Sequence, residues 1–265
     1  MNRFDGLSKE EEQRALDLHR KAIVIEGHTH GMSDMEKVLP SIQEGGVTGR
    51  ILDLSGAFDR DAFLKTSYPE TVIYNYEGWA KRFMVQVDKL LPEFDKHSDK
   101  VSMAFSAEDF LKAKENAKIA ILLGLEGGLP LEGRLEVLRT YYRLGLRSMQ
   151  LTWCWRNQLS DACFEATNSG LTDFGKDVVR EMNKLGMIVG TAHITEKGFF
   201  DTLEISKDPI VVSHAMVRAL CGDGIPYFEY NLSDEQIMAL AENKGVMGTL
   251  NLSSHGVVLC TERKI

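Results

Sequence analysis

Short apolar runs alternate along the chain with amphipathic stretches, and this alternation predicts parallel strands joined by helices. Each run is rich in Val, Ile and Leu, and a capping residue opens the amphipathic stretch that follows. The main predicted strands are seven runs, at residues 22–30, 47–57, 119–126, 147–153, 187–193, 210–214 and 245–250. A further short run at residues 101–106 is predicted to form a peripheral strand.

Three of the helices between these runs are well marked. An acidic first helix is predicted at about Lys9–Lys21, and residues 233–236 have the spacing of a capping box. A helix at residues 171–185 has one apolar face, which consists of Phe174, Val178, Met182 and Leu185. Such a face is expected to pack on the sheet rather than to bind a ligand.

Length and composition fit a single domain. The chain has 265 residues, 43% of them hydrophobic, and α/β barrels often reach roughly 250 residues as one domain. We therefore predict an α/β fold of the (β/α)8 TIM-barrel type over residues 1–265, with seven recognisable core strands. The net charge of −8 disfavours a nucleic-acid binder, and the sequence is compatible with a homo-oligomer.

Membrane insertion and secretion are not expected. The longest uncharged apolar run, residues 119–125, is far shorter than the roughly 20 residues that span a bilayer, and the opening residues lack the apolar core of a signal peptide. The cysteines at positions 154, 163, 221 and 260 form no CxxC pair. They are predicted to be reduced, buried thiols of a cytoplasmic protein rather than zinc ligands.

Polar side chains close four of the predicted strands, where a barrel builds its site. They are His28, His30, Glu126, His193 and His214. His28 and His30 are two residues apart, so in an extended segment both rings can reach one point. That pair alone is equally compatible with structural histidines, but a carboxylate and two imidazoles from three further strands favour a bound cation. The other histidines, at 19, 97 and 255, are expected in solvated segments.

These ligand types suit Zn²⁺ best, with Mn²⁺, Fe²⁺ and Co²⁺ as alternatives. Five ligands are too many for one tetrahedral zinc ion, and this favours two ions, ~3.5–4 Å apart, with Glu126 as the bridging and catalytic carboxylate. A hydroxide shared by two such ions is a nucleophile near neutral pH. The sequence therefore predicts hydrolysis of an amide or a related bond.

From about residue 16 to 252 the sequence resembles the membrane (renal-type) dipeptidase family, a branch of the amidohydrolase superfamily. The most specific stretch begins with Gly-Leu-Thr-Asp-Phe-Gly at residues 170–175 and runs to His193. Other similar motifs lie at residues 124–128, 142–147, 212–214 and 231–236.

The resemblance implies a (β/α) barrel that hydrolyses dipeptides with two zinc ions. Carried over by position, His28 and His30 would bind the first ion and Glu126 would bridge the two. His193 and His214 would hold the second ion.

Several departures from the family pattern affect the expected chemistry. His30 replaces an aspartate, which leaves the first ion less neutralised, and Gly190 replaces another acidic residue. Trp153 replaces a histidine that contacts substrate, and Tyr230 replaces an arginine that binds the substrate carboxylate. Trp153 and Tyr230 are the predicted substrate-binding residues, and Arg218 is a candidate replacement for the lost arginine.

The family continues into an eighth strand with a catalytic aspartate, whereas this sequence ends at Ile265, so no residue here is expected to inherit that role. The leading prediction is a metal-dependent dipeptidase acting on a dipeptide or other small molecule. An amidohydrolase acting on a neutral or cyclic amide is one alternative. A metal- or ligand-binding protein without catalysis is the other.

Overall fold

The computed structural model describes residues 6–30, 35–55, 78–164, 167–221 and 230–249. Within these ranges the helices are α1 Lys9–Lys21, α2 Met35–Glu44, α3 Trp79–Lys96, α4 Ala107–Glu115, α5 Leu135–Arg143, α6 Asp173–Leu185, α7 Glu196–Ile205 and α8 Asp234–Glu242. The strands are β1 Ile25–Thr29, β2 Gly49–Ser55, β3 Val101–Met103, β4 Ile119–Glu126, β5 Leu146–Gln150, β6 Ile188–Gly190, β7 Val211–Ala215 and β8 Val246–Thr249.

All strand pairs are parallel, and the main order is β1-β2-β4-β5-β6-β7-β8. The short strand β3 pairs only with β4, outside this order. The seven strands curve into a nearly closed barrel, which confirms both the predicted fold class and the peripheral position of the run at residues 101–106. Because every strand runs in the same direction, all the carboxyl ends meet at one mouth.

Over the described residues the barrel has one open seam, between β8 and β1. Among the described residues no hydrogen-bonded pairing joins β8 to β1, and Ile25 on β1 and Val246 on β8 are largely exposed. β1 still approaches β7, since a Cβ atom on Gly27 would lie 3.5 Å from the carbonyl oxygen of Ser213 on β7.

Strand β4 lies at the centre of the core. All eight of its residues are buried, and they pack beneath the apolar faces of the surrounding helices. On α6, Val178 and Met182 are fully buried, while Phe174 and Leu185 pack against the core from its edge. The predicted apolar face of this helix is therefore confirmed. The capping box at Ser233 is confirmed too, since its hydroxyl accepts from the N–H of Gln236.

The strands are shorter than predicted where polar residues follow them. The run at residues 187–193 pairs only over Ile188–Gly190, and His193 lies in a turn with a φ of +66°. The run at residues 22–30 pairs only over Ile25–Thr29, which leaves His30 just beyond the strand. At both points a histidine that follows the strand, His30 or His193, contacts Glu126 at the mouth.

Two further predictions have a structural outcome. His19 is exposed as expected, but His97 is buried at the end of α3, so its expected surface position is wrong. Its Nε2 atom lies 3.7 Å from Oε2 of Glu93, one turn earlier on the same helix. His255 and Cys260 lie outside the described residues. In the part of the chain that the structure describes, no helix combines the length and apolarity needed to span a bilayer.

Candidate metal centre

The five residues predicted as metal ligands lie together at the barrel mouth. Glu126 is the last residue of β4, and His28 is the last but one of β1, with His30 immediately beyond that strand. His214 lies near the end of β7 and His193 in the turn after β6. Separate strand ends thus bring one carboxylate and four imidazoles to the same place.

The first group consists of His28, His30 and Glu126. The Nε2 atom of His30 lies 3.0 Å from Oε2 of Glu126, and Nε2 of His28 lies 3.7 Å from Oε1 of the same carboxylate. The ring centroids of His28 and His30 are 4.7 Å apart. Both rings of the His-x-His motif therefore reach one point, as the extended spacing predicted.

The second group consists of Glu126, His193 and His214. Oε1 of Glu126 lies 3.0 Å from Nε2 of His193 and 3.4 Å from Nε2 of His214. The two Nε2 atoms are 3.0 Å from each other. Ligand atoms bound to one tetrahedral zinc ion at ~2.0–2.1 Å lie ~3.3 Å apart, so these three atoms are close to the spacing of a metal site.

Glu126 connects the two groups. Its Oε2 faces His30 and its Oε1 faces His193 and His214. The ring of His28 also stacks on the ring of His214, with centroids 3.7 Å apart. Each group supplies at least three donor atoms within 4.8 Å of one another, so the donor set fits two ions that share one carboxylate.

The electrostatics of the cluster keep its carboxylate ionised and give its histidines different proton affinities. Burial opposes ionisation of Glu126, but hydrogen bonds from His193, His214 and His30 hold its pKa well below the ordinary value. Burial would lower the pKa of His193, but Cys163 and Glu126 together raise it to about 9. Burial, together with the neighbouring charge of His193, lowers the pKa of His214 to about 4. The centre thus combines a carboxylate with imidazoles whose proton affinities differ widely.

Sulfur atoms lie behind His193. The Sγ atoms of Cys154 and Cys163 are 3.7 and 3.8 Å from its Nδ1, and the N–H of Cys163 donates to its carbonyl oxygen at 2.8 Å. Both thiols are free and buried, as predicted. The interaction with Cys154, reinforced by His193, lowers the pKa of Cys163 to about 6. These thiols contact the site, whereas Cys221 is only half-buried and hydrogen-bonds to the carbonyl of Val217.

Aromatic side chains surround the second group. The ring of Tyr230 lies 4.8 Å from that of His193, and its hydroxyl donates to the carbonyl of His214 at 2.8 Å. Trp153 lies 6.4 Å from His193 and 4.9 Å from Trp155, centroid to centroid. Burial and the nearby charge of Glu126 raise the pKa of Tyr230 well above its ordinary value. Both predicted substrate-binding residues therefore border the centre as neutral groups.

Arg218, the candidate replacement for an arginine that binds substrate, is held by other groups. Its guanidinium bonds to Glu196 at 2.9 Å and to the carbonyl oxygen of Asn231 at 2.9 Å. The Oε1 atom of Gln236 lies 3.4 Å away. These contacts join α7, α8 and the segment between β7 and α8, so the structure gives Arg218 a role in holding those elements together.

The sequence reasoning missed two polar residues that touch the centre, Asp53 and Gln150. Oδ2 of Asp53 lies 2.6 Å from Nδ1 of His28, and the amide nitrogen of Gln150 lies 3.2 Å from the same atom. Both residues are buried on strands. A signal was present for Asp53, because it is the acidic residue inside the apolar run Ile-Leu-Asp-Leu at residues 51–54.

A comparison with protein families gives one match that covers most of the chain. Residues 12–262 match the family described as membrane dipeptidase, peptidase family M19. Dipeptidase tcpJ of Claviceps purpurea is 36% identical over 164 residues, which are 61% of this chain and 37% of that protein. Human dipeptidase 3 is 36% identical over 150 residues, 54% of this chain and 29% of that protein. The chain thus spans about a third of the length of these relatives.

Solved structures show the same fold at low sequence identity. The probable dipeptidase PvdM of Pseudomonas aeruginosa superposes with a TM-score of 0.78 at 20% identity, covering 92% of this chain and 63% of that one. A metallo peptidase of Rhodobacter sphaeroides, liganded with a phosphinate mimic of L-Ala-D-Ala, gives 0.72 at 20% identity, covering 86% and 73%.

Proposed function

This chain belongs to the membrane dipeptidase family, peptidase family M19, and we propose that it hydrolyses dipeptides with two zinc ions bound at the barrel mouth. The single observation that carries the proposal is the position of Glu126. Its Oε2 lies 3.0 Å from Nε2 of His30 and its Oε1 lies 3.0 Å from Nε2 of His193, so this one carboxylate contacts a histidine of each group. One carboxylate between two sets of imidazoles is the arrangement that a binuclear centre needs.

Each group has a separate task in this proposal. His28 and His30 hold the first ion, His193 and His214 hold the second, and Glu126 bridges them. When bound, the two ions supply a water-derived nucleophile at neutral pH and polarise the carbonyl of the scissile bond. The low pKa of Glu126 keeps its carboxylate ionised, so that it is ready to bind cations without first losing a proton.

Trp153 and Tyr230 form the neutral part of the proposed substrate site. Their rings lie within 6.4 and 4.8 Å of His193, beside the second group. We expect them to contact the apolar side chain of the substrate, because aromatic faces bury apolar surface and orient it against the ions.

The test is hydrolysis of a panel of L,L and L,D dipeptides by the zinc-loaded protein. His214→Ala removes a proposed ligand of the second ion and is expected to lower kcat/KM by more than ~100-fold. Even the loss of a group that only hydrogen-bonds to a metal ligand lowers metal affinity or activity about 10- to 100-fold. His19→Ala, an exposed histidine of α1, is the control and should keep wild-type activity. A wild type that binds two ions and hydrolyses no dipeptide would support the non-catalytic binding protein instead.

A second candidate, an amidohydrolase acting on a neutral or cyclic amide, is favoured by the residues that border the centre. Trp153 and Tyr230 are neutral, and Arg218 is engaged by Glu196 and by the carbonyl of Asn231. A cyclic amide without a free carboxylate needs no cationic partner. Faster hydrolysis of neutral cyclic amides than of dipeptides would establish this function, whereas the opposite order would exclude it.

A further inference from the structure

Asp53 is buried in the barrel at a place prepared for its carboxylate. It lies on β2 between Leu52 and Leu54 and is only 3% exposed. Its partner in register on β4 is Gly124, and a Cβ atom on that glycine would lie 2.1 Å from Oδ1 of Asp53. Only a glycine leaves room for the carboxylate here. The two positions therefore depend on each other.

This placement has an energetic cost. Oδ1 of Asp53 is buried without a hydrogen-bond partner among the described residues, and so is Oε1 of Gln150. A buried polar atom without a partner typically costs ~1–3 kcal/mol. A carboxylate kept in an apolar strand at such a cost calls for a role other than stability.

The contacts of Asp53 indicate that role. Its Oδ2 lies 2.6 Å from Nδ1 of His28, and its backbone carbonyl oxygen lies 2.9 Å from Nδ1 of His30. One residue therefore faces the Nδ1 atom of both histidines in the His-x-His motif. A carbonyl oxygen can only accept, so the ring of His30 donates from Nδ1, and Nε2 is the nitrogen that can bind an ion.

Gln150 can reinforce the same arrangement at His28. Its amide lies next to Nδ1 of that ring, and a side-chain amide can present either its oxygen or its nitrogen. With the oxygen presented, the Nδ1–H of His28 has two acceptors, and the Oε1 atom of Gln150 gains the partner that it lacks.

We propose that Asp53 is a positioning residue that fixes both histidines with a proton on Nδ1. The Nε2 atom of each ring then faces Glu126, at 3.7 Å for His28 and 3.0 Å for His30, and is the nitrogen left to bind an ion. Acceptors placed behind metal-binding histidines orient the rings and raise their basicity. This inference rests on the proposed first metal position, but the protons on Nδ1 are in place before any ion binds.

The first experiment uses the metal-free protein with ¹⁵N-labelled histidine. Nitrogen chemical shifts and long-range ¹H–¹⁵N correlations distinguish a ring protonated at Nδ1 from one protonated at Nε2. We expect both His28 and His30 to be protonated at Nδ1 in the wild type. A wild-type His28 protonated at Nε2 would overturn the proposal without the need for any variant.

Asp53→Asn separates the two contacts, because every substitution keeps the backbone carbonyl. We expect His28 to lose its fixed tautomer while His30 retains its own. Zinc affinity at the first metal position, formed by His28, His30 and Glu126, should fall about 10- to 100-fold, the usual effect of removing a group that hydrogen-bonds to a metal ligand. Asp201→Asn is the matched control, since Asp201 bonds to the N–H of Leu171 and to Lys197 on α7. Unchanged zinc binding by a folded Asp53→Asn variant would contradict the proposal.

The tests of Asp53 do not depend on whether the protein hydrolyses dipeptides, so the two proposals can fail separately. A wild type with the expected tautomers and zinc binding but no turnover of dipeptides would contradict the proposed function and support the role of Asp53. A wild type that hydrolyses dipeptides with His28 protonated at Nε2 would do the reverse.

Discussion

The two halves of the centre use the same side chain in different surroundings. In the first half the Nδ1 atoms of His28 and His30 face oxygen atoms of Asp53. In the second half the Nδ1 atom of His193 faces two sulfur atoms, and that of His214 lies 2.8 Å from the hydroxyl of Ser213. The halves also differ in exposure, since the side chain of His30 is 47% exposed and those of His193 and His214 are 8% and 9% exposed.

The difference follows from the position of each half in the barrel. β1 borders the open seam, so the end of the first half faces solvent. β6 and β7 are paired on both sides and covered by helices, so the second half is enclosed. In a water-poor environment charges interact strongly, and this spreads the pKa values of His193 and His214 to about 9 and about 4. Identical side chains therefore differ in proton affinity because of where the strands place them.

The largest effect is expected from replacing Glu126, the residue that both halves share. Glu126→Gln keeps the size of the side chain but removes the negative charge between two dications, so at least one of the two zinc ions should be lost. The first ion should be the weaker one, because His30 is neutral and half exposed. Elemental analysis after dialysis gives the number of zinc ions per protein for the wild type and for the variant, and so tests both expectations.

Glu115→Gln, at an exposed position on α4, is the control for this experiment and should retain two ions. Two ions retained by Glu126→Gln would overturn the ligand assignment. A zinc-replete wild type that holds none would do the same.

An intermediate effect is expected on the pH dependence of stability, to which His193 and His214 of the second half contribute in opposite directions. The folded-state pKa of His193 is raised to about 9, so the stability it adds to the metal-free protein is full below pH 6.5 and is lost as pH rises toward 9. The folded-state pKa of His214 is lowered to about 4, so its contribution is full above pH 6.5 and is lost as pH falls toward 4.

Below pH 6.5 the thermal midpoint of the metal-free protein should therefore fall as pH decreases toward 4. Between pH 6.5 and 9 the loss from His193 is opposed by Cys163, whose pKa is lowered to about 6 and whose contribution to stability grows over this range. Calorimetric scans from pH 4 to 9 measure the midpoint. His193→Gln removes the loss that opposes Cys163, so its midpoint should rise more from pH 6.5 to 9 than that of the wild type, and His214→Gln should flatten the acid side. If both variants keep the wild-type curve, the two histidines of the second half do not differ in proton affinity in the way described.

The smallest effect is expected from replacing one of the two sulfur atoms that contact Nδ1 of His193. In Cys163→Ser a hydroxyl replaces one thiol while Cys154 stays 3.7 Å from Nδ1, so zinc affinity should fall by about 10-fold or less, at the low end for an outer partner. Calorimetric titration with zinc measures the change, and Cys221→Ser is the control outside the centre. A loss as large as that of Asp53→Asn would show that the sulfur atoms position their histidine as strictly as the oxygen atoms do.

Much of the fold could be predicted from the sequence because local features encode it. The apolar runs gave all seven barrel strands and the peripheral β3, and the periodicity of residues 171–185 gave the buried face of α6. The convergence of Glu126 with the four histidines was also predictable, since parallel strands end at one mouth. Which of these residues binds metal stays a prediction until an ion is measured.

The contacts behind the ligands could not be predicted in the same way. Asp53 is 25 residues from His28, and Cys154 is 39 residues from His193. No spacing rule links them. His97 shows the same limitation, because its burial depends on how α3 packs rather than on its polar neighbours in sequence.

The sequence by itself determined the types of the ligands, their positions at strand ends and the order in which those strands follow each other. These properties depend on hydrophobic periodicity and on residue chemistry, which are local. Only the tertiary structure decided which atoms lie behind each imidazole and how far each half is exposed to solvent. Those properties depend on the register between distant strands and on the seam between β8 and β1. The packing of the whole barrel sets both.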